Sequence, residues 1–228
     1  MLYVVSTPIG NLGDITFRAV EVLKGAQLIA CEDTRRTKIL CDRYGIRAPL
    51  TSYYSYNQKM KGERLLAVLK EGRRVALVSD SGTPGISDPG AQLIRQALDA
   101  GIEVVCVPGP TALVAALSLS GLPTHRFIFE GFLPVKSGAR RRRLEAHKPF
   151  EGTLVIYESP HRLLKTLEDI RAVLGNRPLA VARELTKKFE EVWRGDVEGF
   201  LERRHTREAR GEFVLVVGGL RRVRGTTA

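Results

Sequence analysis

The chain is 228 residues long, 43% hydrophobic, and carries a formal charge of +11 at neutral pH. That length and apolar share suffice for a packed core without disulfides or metals, and no apolar run reaches the ~18 residues of a membrane-spanning helix. The basic excess is uneven: residues 1–122 hold 14 Lys and Arg against 11 Asp and Glu, and residues 123–228 hold 22 against 14. This distribution suits a polyanionic partner, nucleic acid before membrane surface, with a generally basic or heat-adapted composition as the alternative.

Strand-like and helix-like segments alternate along the first half. Leu2–Ser6 reads as an apolar strand and Asp14–Lys24 as a helix capped by Asp14. A short strand at Leu28–Cys31 precedes a helix over Asp33–Tyr44, closed by Gly45. A helix near Gln58–Glu71 ends at Gly72, and Arg74–Ser79 is a buried strand. The helix Ala91–Ala100 stops at Gly101, followed by the strand Ile102–Val107 and a small-residue helix over Thr111–Ser120. This is an α/β pattern with a mainly parallel sheet. Gly121-Leu122-Pro123 breaks the chain and marks the expected boundary between domains 1–122 and 123–228. Beyond it, Arg126–Phe129, Thr153–Tyr157, Leu179–Ala182, Glu191–Arg194 and Phe213–Val217 read as strands. Lys136–Lys148 reads as a basic helix. Pro160 occupies the first position of a helix whose apolar face is Leu163, Leu167, Ile170 and Leu174.

Cys31, Cys41 and Cys106 form no close pair, and His125, His147, His161 and His205 show no ligand spacing. No metal site is therefore expected, and the three thiols read as apolar filler in a reducing compartment. The N-terminus shows no secretory pattern, so a cytoplasmic protein is expected.

The densest signal is the loop Ser79–Gly90, SDSGTPGISDPG, between a buried strand and a helix. Its glycines let backbone approach a ligand, its prolines hold the loop's shape, and Asp80 offers a carboxylate to hydroxyls or a cation. An ordinary tight turn is the alternative, but such long loops are usually functional. Two further loops, Ser6–Asp14 (STPIGNLGD) and Val107–Ala112 (VPGPTA), also end strands and open helices. If the three strands are sheet neighbours, the loops line one edge, where ligands of open α/β sheets bind. None of them contains a lysine or arginine, so a neutral or zwitterionic ligand with an adenine and a ribose fits better than a triphosphate.

Six runs in order, SerThrProIleGlyAsnLeuGlyAspIle at 6–15, CysGluAspThrArg at 31–35, the 79–90 loop, ValProGlyPro at 107–110, GluSerProHisArg at 158–162 and ArgGluLeuThrLys at 183–187, resemble the tetrapyrrole (corrin/porphyrin) methylases. The likeness is to their subfamily that methylates a cytidine 2′-hydroxyl of small-subunit ribosomal RNA, and it covers residues 1–217. It implies a tetrapyrrole-methylase-like fold of two α/β domains with S-adenosylmethionine in the cleft between them, and a homodimer acting on small-subunit ribosomal RNA or the assembled subunit. The implied cofactor contacts are Ile9, Asp80, Gly82, Thr83, Gly85, Thr111, Ala112, Tyr157, Glu212 and Phe213. Ser81 stands where alanine is commoner. Many relatives carry a further C-terminal segment beyond the point matching Arg221–Ala228; if that segment helps dock RNA in them, docking here is expected on other surfaces.

Methyl transfer from a sulfonium needs positioning above all, and the acceptor hydroxyl must lose a proton. Asp14, Glu32, Asp33, Glu158 and Glu184 are candidate bases, with Arg35 or Lys187 lowering the hydroxyl pKa. Asp14 and Asp33 also suit helix caps. Glu184 and Lys187 are the preferred catalytic pair, with Asp33 and Arg35 behind them. Arg140, Arg141, Arg142 and Arg143, with Glu145 the only acid close in sequence, read as phosphate contacts, against a solvated helix face. Tyr53, Tyr54 and Tyr56 offer stacking for a flipped base, or core packing or dimer contact. A small-molecule tetrapyrrole methylase and a non-catalytic RNA-binding protein are the competing readings.

Overall fold

The computed structural model describes residues 1–203 and 210–220; His205 and the tail Arg221–Ala228 lie outside the described residues. The chain divides into two compact units, Met1–Thr111 and Ala112 onward. The division falls ahead of the small-residue helix, whereas the Gly121–Pro123 break falls behind it.

The first unit is a five-stranded, wholly parallel sheet. Its strands are β1 (Leu2–Val5), β2 (Leu28–Cys31), β3 (Leu50–Ser52), β4 (Val75–Leu77) and β5 (Val104–Val107), in the order β3-β2-β4-β1-β5. Alternation along each strand feeds two cores. On one face Val5, Ile29, Cys31, Ala76 and Val78 meet α1 (Phe17–Gly25) and α2 (Thr34–Tyr44) through Ala19, Leu23, Leu40 and Cys41. On the other, Leu2, Ala30, Val75 and Leu77 meet α3 (Gln58–Lys70) and α4 (Ala91–Asp99) through Leu65, Leu69, Leu93 and Ala97.

Asp14 does not cap α1. A 3-10 turn at Leu12–Asp14, capped by Asn11, intervenes, and the Thr16 hydroxyl accepts from Ala19 N instead. Asp33 does cap α2, which closes on left-handed Gly45. Of the cysteines, Cys31 and Cys41 are buried filler, but Cys106 is exposed.

The second unit opens with α5 (Ala112–Leu119) and carries a mixed sheet of β6 (Phe127–Phe132), β7 (Thr153–Glu158), β8 (Pro178–Arg183), β9 (Glu191–Asp196) and β10 (Phe213–Val217), in the order β6-β7-β10-β8-β9. Only β6–β7 is parallel. α6 (Ser137–Glu145), α7 (Leu163–Leu174) and α8 (Val197–Arg203) pack on one face around Ile156, Leu215 and the expected stripe Leu163, Leu167, Ile170, Leu174. Pro160 lies in the turn before α7 and is not its first residue.

Among the described residues no helix is long and apolar enough to cross a membrane, and no group of His, Cys, Asp or Glu could hold a metal ion.

Candidate functional site

Sheet order brings the three expected loops together, because β4, β1 and β5 are neighbours. The loop after β1 bridges to the loop after β4: Thr7 N donates to Gly82 O (2.9 Å), Gly82 N donates to Thr7 O (3.0 Å), and the Ser6 and Thr83 hydroxyls lie 2.8 Å apart. Gly82 and Gly85 hold φ of 79° and 83°, a backbone that side-chain-bearing residues adopt at a cost. A Cβ on Gly109 would stand 3.0 Å from Ser6 Cβ, so the loop after β5 closes tightly on the loop after β1. Ile9 is buried at 7% exposure beside Gly82.

A fourth loop joins them, since β2 flanks β4 on its other side. Asp33 N donates to Asp80 Oδ1 (2.9 Å), and Arg36 Nη1 lies 3.4 Å from Asp80 Oδ2. Asp80 is thus anchored to the CysGluAspThrArg loop, leaving only its remaining lone pairs for a ligand. Arg36 escaped the sequence reading because nothing in the sequence marks it as the residue that reaches the neighbouring loop.

The candidate catalytic groups take distinct states. Asp33 accepts from Arg35 N (2.8 Å) and Arg35 Nε (3.1 Å) and pairs with Arg35 Nη2 (2.7 Å). The Arg35 guanidinium and backbone N–H bring the Asp33 carboxyl down to about 2, which makes it a poor proton acceptor near neutrality. Burial and the neighbouring Asp80 carboxylate push the Glu32 carboxyl above its ordinary range. Glu158 is withdrawn as a base: its carboxylate is buried, accepts from Ser159 N (2.8 Å) and the Thr166 hydroxyl (2.6 Å), and lies 3.2 Å from Arg162 Nε.

Glu184 and Lys187 do pair, at 3.0 Å, and Lys187 Nζ also donates to Glu212 Oε2 (3.0 Å). Glu184 further accepts from Glu212 N (2.9 Å), and its own N–H donates to Glu212 O (3.0 Å). Burial pushes the Glu184 carboxyl up, but Lys187 and the Glu212 N–H outweigh it and hold it below its ordinary range. The pair is a lock joining two chain segments through Glu184 Oε1, and a carboxylate held below its ordinary range is a weaker proton acceptor. The same bonds occupy the backbone of Glu212. Phe213 is buried among the helix-side core residues of β10, 2% exposed, so of the expected cofactor contacts it can offer only backbone. Tyr157 fits better: its hydroxyl accepts from Leu113 N (3.0 Å), next to Ala112 at the start of α5, and Phe129 and Phe132 pack edge-on against its ring.

The arginine run splits. Arg140 is buried, 3% exposed; its Nε and Nη2 meet Asp169 Oδ2 at 2.7 and 2.6 Å, and Nη1 donates to Val135 O (3.1 Å). Arg140 is therefore no phosphate contact but a strut between α6 and α7. Arg141 pairs with Asp169 Oδ1 (2.5 Å) and Arg143 with Glu130 Oε2 (2.6 Å) while both stay over half exposed; Arg142 is exposed. The sequence reading missed Asp169 and Glu130 because they sit on other elements. Of the tyrosines, Tyr53 is core (1% exposed), while Tyr56 is 98% exposed and meets Tyr54 edge-on.

The family model for Tetrapyrrole (Corrin/Porphyrin) Methylases matches residues 1–200. The chain belongs to the tetrapyrrole (corrin/porphyrin) methylase family. Within that family it is 52% identical to a ribosomal RNA small subunit methyltransferase I from Escherichia coli O157:H7, over 96% of this chain and 77% of that protein. The protein of the same name from Thermotoga maritima is 46% identical, over 96% of this chain and 98% of its own length. Among solved structures, uroporphyrin-III-C-methyltransferase from Thermus thermophilus superposes with a TM-score of 0.67 at 26% identity, covering 95% of this chain and 93% of that one. This family's fold explains why the loops carry neither of the familiar glycine fingerprints for nucleotides.

Proposed function

We propose that this chain transfers the methyl group of S-adenosylmethionine to the ribose 2′-hydroxyl of a cytidine in small-subunit ribosomal RNA. The observation that carries the proposal is 46–52% identity, across nearly the whole chain, to proteins named for methylating that RNA. The site agrees in kind: the clustered loops after β1, β4 and β5 offer close backbone and no basic side chain, which suits a zwitterionic cofactor. In this reading Ile9, Asp80, Gly82, Thr83, Gly85, Thr111, Ala112 and Tyr157 hold the cofactor. Glu32 is the general base: it adjoins Asp33, whose N–H anchors Asp80 of the cofactor loop, and burial and the Asp80 carboxylate push its carboxyl up, away from the depressed states of Asp33 and Glu184. Arg35 and Lys187 act through their carboxylate partners, and Arg141, Arg142 and Arg143 meet phosphates. A cytoplasmic homodimer completes the reading, supported by three free thiols and by β5 standing as an unpaired sheet edge with Cys106 exposed on it; light scattering returning a monomer mass at micromolar concentration would remove the dimer.

The experiment is transfer of labelled methyl from S-adenosylmethionine, without added divalent metal, to purified small ribosomal subunits and, separately, to a tetrapyrrole. Label on the RNA alone is expected. Label on the tetrapyrrole alone would make the chain a small-molecule methylase, and no transfer despite cofactor binding would leave it a binding protein.

A further inference from the structure

We propose that the loop between β8 and β9 is a stacking platform for one unpaired RNA base, with Phe189 as the stacking ring and Lys188 as the contact to the adjoining phosphate; this rests on the RNA-methylation reading above. Phe189 is 65% exposed and, among the described residues, belongs to no apolar core and no ring pair. The Lys188 ammonium lies 5.7 Å from its ring centroid, and among the described residues it has no ion-pair partner. The other cations of the loop are engaged: Lys187 by Glu184 and Glu212, and Arg183 by Arg210 O (2.7 Å) and by Glu191 at 3.7 Å.

The loop is held in one shape. Glu184 and Thr186 both adopt left-handed backbone, with φ of 50° and 65°, which non-glycine residues hold only when their surroundings over-determine it. Those surroundings are on hand. Thr186 N donates to Glu190 Oε2 (2.5 Å), Lys187 N to Glu184 O (3.0 Å) and Glu190 N to Lys187 O (3.1 Å). The Glu184 side chain rests against Gly211, where a Cβ would stand 2.6 Å away. A turn strained at two residues and pinned by these bonds, which ends by exposing a phenyl ring to water, gains nothing for packing. Leu185 is buried, and the ring's neighbours along the chain, Lys187, Lys188, Glu190 and Glu191, are all charged. One ring beside one free ammonium matches one base and one phosphate; a protein interface would need a wider apolar patch. Every base has a π-face, so such a platform accepts an unstacked base of any identity.

The test uses the full chain and a fluorescein-labelled single-stranded 12-nucleotide RNA, titrated at several salt concentrations. Phe189→Ala is expected to weaken affinity by about 5- to 150-fold, the worth of one base–aromatic stack, with the log–log salt slope unchanged. Phe189→Trp is expected to restore wild-type affinity. Lys188→Ala is expected to lower the slope by about 0.7, one phosphate of a single strand. Cofactor affinity and assembly mass should stay the same in all three. Equal RNA affinity for wild type and Phe189→Ala would overturn the proposal, and so would a loss accompanied by a fall in assembly mass, which would make Phe189 a subunit contact. Because the readout is RNA affinity, a wild type that binds RNA through Phe189 without transferring methyl would defeat the functional reading and leave the platform standing.

Discussion

Asp169→Ala is expected to destabilise the second unit far more than Arg141→Ala. The Asp169 carboxylate is 3% exposed and takes bonds from Arg140 at 2.7 and 2.6 Å, from Arg141 at 2.5 Å and from the Ser137 hydroxyl at 2.9 and 3.0 Å. Removing it leaves the Arg140 guanidinium, 4% exposed, with only backbone carbonyls. Stranding a buried charge in this way costs about 3–5 kcal/mol, which for a chain of this size is a fall in Tm of about 6–20 °C. Arg141→Ala, with its guanidinium 54% exposed, should cost about 1 kcal/mol or less. Replacing both buried partners, Arg140→Met with Asp169→Leu, removes the orphaned charge and should recover most of the loss. The folded state holds the Asp169 carboxyl below its ordinary 3.8, so its contribution is complete above that pH and is lost as pH falls through the depressed value; the gap between wild type and Asp169→Ala should close in acid. Urea unfolding followed by circular dichroism reads all of this. An Asp169→Ala loss no larger than that of Arg141→Ala, or a double variant as unstable as Asp169→Ala, would refute the reasoning.

Gly82→Val and Gly85→Val place a branched side chain on backbone at φ of 79° and 83° and should each weaken S-adenosylmethionine binding by tenfold or more in calorimetry; unchanged affinity in both would put the cofactor elsewhere. Glu32→Gln should slow single-turnover methyl transfer by about 10²–10⁴-fold with cofactor affinity kept. Because folding raises the Glu32 pKa, its ionisation costs stability as pH rises through the ordinary carboxylate range and beyond, so thermal melts should show Glu32→Gln gaining on wild type at pH 7 and not below pH 4. Replacing Arg142 and Arg143 by alanine should lower the log–log salt slope of single-stranded RNA binding by about 1.4; parallel lines of equal affinity would make this a solvated helix face.

Periodicity and turn chemistry made most of the fold legible. The first unit's glycine-stopped helices and apolar strands stand where the pattern puts them, because each carries its own stop signal, as Gly45 and Gly101 do at left-handed φ of 64° and 68°. The short strand β3 and the helix α8 were not legible, since three half-buried residues and seven residues after a strand leave too little period to read. The start of α1 was misread because Asp14 and Thr16 are both acceptable caps and only the 3-10 turn chooses between them. At the site, the glycine and proline loops announced themselves. The arginine run misled because its partners come from β6 and α7, and a sequence shows only neighbours along the chain. The fate of Glu184 was hidden for the same reason: its second anchor, Glu212, lies 28 residues away.

The central claim is most directly tested on the RNA product. Small subunits lacking the modification are incubated with this protein and S-adenosylmethionine, and their RNA is digested to nucleosides and read by mass spectrometry. A gain of 2′-O-methylcytidine and of no other methylated nucleoside is expected, abolished by Gly82→Val. Methyl on a base, on a different ribose, or on no nucleoside while a tetrapyrrole in the same mixture is methylated would contradict it.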